Sequence, residues 1–167
     1  MAASDRPGGL TALALFNLAF AIGELFEGIA RLVQRHNTLR FIEKTLPGWR
    51  LRGRDSGPFD PGLRGEERYQ FYVDLGPDTL LLLAVLSLAA ALLLALSVRG
   101  LLQSQRWMGR WVATIGAVLM VSAALLTVHW FPEELLRESG LALVRGLFYP
   151  LMLVAMVHIT FRRDLVK

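Results

Sequence analysis

Thr79 to Val98 reads TLLLLAVLSLAAALLLALSV, twenty residues without a charge. As a helix rising 1.5 Å per residue it covers about 30 Å, the thickness of a bilayer's hydrocarbon. Lipid offers no hydrogen bonds, and a helix closes its backbone bonds within itself. This stretch therefore reads as a transmembrane helix, and it sets the terms for the rest of the chain.

Three further apolar blocks meet the same length condition. They are Leu10 to Val33, Met108 to Trp130 and Leu141 to Phe161. The 167 residues are 54% hydrophobic and 19% charged, against roughly 45–50% and about 25% in soluble domains. The apolar excess is gathered into these blocks, with charged stretches between them. The expected fold is an all-α membrane protein of one domain, 1–167. Its four transmembrane helices (10–33, 79–98, 108–130 and 141–161) form an antiparallel bundle, with an extramembrane segment at 34–78.

The block ends support these spans. Trp107, Trp111, Trp130 and Phe131 lie where aromatic belts meet the interface. Pro132 ends the third block, and Glu133 to Gly140 makes a short return. Pro77 precedes Asp78 and Thr79, a capping turn for the second helix, and Tyr69, Phe71 and Tyr72 approach it from the loop. Ala21-Ile22-Gly23 could pass as a signal-peptidase site. The apolar pattern continues past it to Val33, however, and Asp5 balances Arg6 in the leader, so the first block is read as a retained helix.

Within 34–78, RHNTLRFIEKTL places Leu39, Ile42 and Leu46 on one helical face. Phe41 lies beside that stripe, and Arg35, Arg40 and Lys44 lie on or near the polar side. That pattern predicts an amphipathic helix on the membrane surface. From Pro47 to Tyr69 glycine, proline and charge dominate, which predicts an irregular loop.

Arg99, Arg106 and Arg110 lie around the turn from the second block to the third without an acid, whereas Glu133, Glu134 and Glu138 outnumber Arg137 in the next turn. Arginine and lysine favour the cytoplasmic side, so both termini are expected inside a cell (inner) membrane. The arginines of the long loop oppose this orientation, although longer loops obey the rule less strictly.

Two carboxylates, Glu24 and Glu27, share a face of the first block, and Asn17 and Arg31 extend that stripe. A charge in hydrocarbon is costly and seeks a partner in the bundle. Glu27 lies about 9 Å from its helix midpoint and Arg145 about 10 Å from its own, on the same side by alternating topology. An ion pair across helices is thus expected, with His129 nearer the surface. The candidate ligand or ion-pair cluster is Glu24, Glu27, Arg31, His129 and Arg145. It can be read as a proton- or ligand-handling site, or as a structural group in which Glu27 and Arg31 neutralise each other at a spacing of four.

No catalytic residues, metal site or cofactor are expected. The chain has no cysteine, which excludes disulfides and thiolate chemistry. His129 and His158 would lie more than about 20 Å apart along the membrane normal, too far to ligate one haem iron. Glu24 and Glu27 lack the Glu-x-x-His spacing of di-iron bundles. Tyr149-Pro150 is expected to kink the fourth helix. The net charge of +4 gathers at block ends, which points to anionic lipid headgroups and not to nucleic acid. The expectation is an accessory or interaction subunit that meets other membrane protein subunits; the alternative is a small transporter using Glu24 and Glu27.

Overall fold

The computed structural model describes residues 8–45, 72–105, 107–130, 140–161 and 165, with side chains for all but 44–45 and 140–145. Among these residues the chain is helical, without strands. Helix α1 is Gly8–Thr45 and α2 is Pro77–Leu102. Helix α3 is Trp107–Trp130, whose first stretch, Trp107–Val112, is π-helical. Helix α4 is Gly140–Ala155, continued by a π-helical segment, Met156–Thr160. Three of these helices are long and apolar enough to cross a membrane, and the fourth is a shorter apolar helix. This is the make-up of a membrane protein.

Helix α1 differs from expectation. It does not stop at Val33 and restart as a surface helix but runs unbroken for 38 residues, about 57 Å at the usual rise. No glycine or proline stands between Gly28 and Pro47. A helix keeps its backbone bonds whether lipid or water surrounds it, so leaving the apolar block is no reason to end. Pro47 is such a reason, because it disfavours the helical conformation of the residue before it. Along the added turns the buried residue is Thr38, whose hydroxyl donates to the Gln34 carbonyl at 2.9 Å. Leu39 is exposed and Ile42 half-buried; Leu46 and the loop that follows lie outside the described residues.

Helix α2 begins at Pro77, as a first-turn proline permits. It is preceded by Gly76, at φ 85°, and a helical turn at 72–75. Thr79 donates back to the Leu75 carbonyl at 2.8 Å. At its other end Gly100 and Gly109 bring α2 and α3 into backbone contact: a Cβ on Gly100 would fall within the backbone of Met108 and Gly109. The reversal between them is tight. Ser104 sits at φ 53°, and the Gln105 N–H donates to the Gly100 carbonyl at 2.8 Å.

Small and large apolar residues share the core. Ala14 and Ala21 of α1, Ala90 and Leu94 of α2, Ala113 and Ala117 of α3, Leu153 of α4 and Val157 of its π-helical continuation belong to one buried cluster, and Leu165 returns to it from beyond them. Phe16, Phe26, Leu92, Val118 and Phe148 point outward. For lipid-facing helices such exposure is no liability, because the surroundings are as apolar as the side chains.

Candidate functional site

Three polar groups bind the helices together. The first lies in the core. Asn17 on α1 and Ser97 on α2 are both 0% exposed, and Tyr149 on α4 is 3% exposed. The Tyr149 hydroxyl donates to Asn17 Oδ1, the Asn17 amide donates to Ser97 Oγ at 2.6 Å, and Ser97 donates to the Leu94 carbonyl at 2.7 Å. Each step ends on an acceptor, so the chain of bonds is closed. The Tyr149 ring stacks on Phe20 with centroids 3.5 Å apart. Asn17 was part of the stripe read from the sequence. Ser97 and Tyr149 were not singled out for this role, and the only signal was that each is a polar residue within an apolar block.

The second group holds the expected acidic cluster. Arg31 is 7% exposed, and its Nε and Nη2 donate to Glu27 Oε1 at 3.3 and 3.0 Å. Nη2 also donates at 3.0 Å to Thr127 Oγ1 on α3, and Thr127 donates to the Ala123 carbonyl at 2.7 Å. Nη1 is buried and has no hydrogen-bond partner among the described residues. Glu27 is about half exposed, with its side chain 48% accessible, and its ion pair is to Arg31 four residues on. This pair runs along α1, so it needs no second helix to be rotated correctly; the expected pairing across to α4 falls on a side chain outside the described residues. Arg145 has its side chain outside the described residues. Glu24 is half-buried and also engaged. His129 is exposed, its ring 6.5 Å from that of Trp130.

The third group, not anticipated from the sequence, lies where the two π-helical segments meet. Arg110 directs Nε and Nη2 at His158 Nδ1, at 3.1 and 2.9 Å. A guanidinium only donates, so Nδ1 is the acceptor and carries no proton. Nε2 then bears the hydrogen and donates to Thr114 Oγ1 at 2.9 Å; Thr114 donates to the Arg110 carbonyl at 2.7 Å. The ring of bonds returns to the residue where it began. Trp111 borders it, with its ring 5.8 Å from Arg110 Cζ and 6.0 Å from the His158 ring.

No group of three or more histidine, cysteine or acidic side chains with the spacing of a metal site occurs among the described residues. Comparison of the chain with protein-family models, with curated proteins and with solved structures found no match.

Proposed function

We propose that the chain is a four-span membrane protein whose helices alternate in direction, and that it serves as an accessory or interaction subunit of a larger membrane assembly. The observation that carries this reading is that two polar residues buried on α1, Asn17 and Arg31, are bonded within the bundle, although Arg31 Nη1 and Arg35 Nε have no partner among the described residues. Asn17 is bound by Ser97 and Tyr149, and Arg31 by Glu27 and Thr127. Such bonds favour a rigid body over a passage that must open and close. Support for alternation comes from register: residue 17 of α1 meets residue 97 of α2, whereas Gly28 packs on Leu88 and Ala84. Rising numbers on one helix thus meet falling numbers on the next. The arginines at 99, 106 and 110 favour a cytoplasmic turn there, with both termini on that side of a cell (inner) membrane.

A small transporter is the second reading. It is favoured by Glu24, a half-buried carboxylate within the α1 span. Affinity purification of the full chain in mild detergent separates the two. A subunit brings down a membrane partner in fixed ratio, and Glu24→Gln leaves that partner bound. A chain that purifies alone, and that carries a flux in proteoliposomes lost in Glu24→Gln, contradicts the subunit reading.

A further inference from the structure

Arg110 is a cation whose described hydrogen bonds go to a neutral ring. It makes no ion pair with an acid among the described residues. We propose that Arg110, flanked by Trp107 and Trp111, binds the phosphate group of an anionic phospholipid. The proposal rests on the membrane-spanning reading above and adds a site and a ligand class to it.

Depth, donor count and rigidity all lead to this ligand. Trp107 and Trp111 are 65% and 50% exposed at the start of α3. Indoles with one wet edge and one apolar face collect at the level of lipid headgroups, where the phosphates lie. Arg110 shares that turn. A guanidinium has five N–H donors, and His158 takes two of them. The remaining three include both hydrogens of Nη1, and the planar fork matches the spacing of two phosphate oxygens. The guanidinium does not have to be ordered on binding. His158 holds it, Thr114 holds His158, and the Arg110 carbonyl holds Thr114. Less side-chain freedom is therefore lost when the anion arrives. Both residues of the central contact stand on π-helical turns, Trp107–Val112 and Met156–Thr160, a distortion that recurs at functional sites.

The test compares lipid retention by the full-length protein, using native mass spectrometry after detergent exchange. The probes are phosphatidylglycerol and phosphatidylcholine of equal chain length. The wild-type protein is expected to prefer phosphatidylglycerol, and Arg110→Gln to reduce that preference at least about tenfold, as the loss of a charge-assisted hydrogen bond does. Arg99→Gln removes an exposed cation at the same end of α2 and is expected to leave most of the preference intact. Equal losses in the two variants would mean diffuse attraction and would overturn the site, as would no preference in the wild-type protein. Should Arg110→Gln not fold, Arg110→Lys is read in its place. It keeps the charge without the fork, and an undiminished preference there also overturns the proposal. Inorganic phosphate that displaces the lipid supports recognition of the phosphate group alone; retention in its presence supports recognition of the whole headgroup. Alkaline carbonate extraction of the same membranes tests the spanning reading separately. A chain that stays with the bilayer but shows no lipid preference defeats the site and leaves that reading standing.

Discussion

Asn17 and Ser97, eighty positions apart, meet side chain to side chain at 2.6 Å in the core, with both residues fully buried. The bond ties α1 to α2, and through Tyr149 the same amide is tied to α4.

The expected consequence is a contrast between two serines of one helix. Ser97→Ala leaves the Asn17 amide without its acceptor and should cost on the order of 1 kcal/mol. Ser87 is equally buried, but its hydroxyl has no hydrogen-bond partner among the described residues. Ser87→Ala should therefore be neutral or slightly stabilising. Unfolding in mixed micelles measures both, and equal costs would contradict the described bonding.

A double-mutant cycle tests the ion pair of α1. Glu27 is half exposed, so its Coulomb gain is screened and the coupling to Arg31 should be only about 0.5–1 kcal/mol. Arg31→Met should cost more than Glu27→Gln, because it also removes the bond to Thr127 on α3. If the two changes prove additive, the pair does not form in the folded protein.

Gly100→Ala should be among the most damaging small substitutions. The added methyl group meets the backbone of Met108 and Gly109, which cannot rotate away as a flexible side chain would. A cost of at least about 2–3 kcal/mol is expected, at the upper end for overpacking. Thermal unfolding in detergent reads it, and a variant as stable as the wild type would mean α2 and α3 do not approach so closely.

The apolar helices were legible in the sequence because crossing lipid imposes a condition on composition and length, and blocks such as Thr79 to Val98 meet it without reference to any neighbour. The Glu27–Arg31 spacing was legible for the same reason, since partners four apart on one helix need no tertiary information. Contacts between helices were harder to read. Depth alone, by which Glu27 was matched with Arg145, leaves the rotation of each helix about its axis undetermined, and that match falls on a side chain outside the described residues. Ser97 and Tyr149 were not matched with Asn17 on the same account. Helix α1 was read as ending with its apolar block at Val33, because hydropathy falls there, whereas helical backbone carries on to Thr45 with no glycine or proline in the way. The π-helical turns under Arg110 and His158 leave no composition signal.

The bonding around His158 predicts a tautomer. Nitrogen-15 spectra of the protein in bilayers should show Nδ1 as the unprotonated nitrogen and Nε2 as the protonated one. Thr114→Val should disturb the Nε2 resonance first. The opposite tautomer would be incompatible with Arg110 as donor.

The central claim, four spans that alternate in direction, can be tested without labelling of the parent chain itself, because it has no cysteine. Single cysteines at Ser56, Gln103, Ser139 and Lys167, each treated in intact cells with a maleimide that cannot cross the membrane, report which side each position occupies. The account predicts labelling at Ser56 and Ser139, with Gln103 and Lys167 reacting only after the cells are opened. Labelling of Ser56 and Gln103 from the same side would mean α2 does not cross, and would contradict the account.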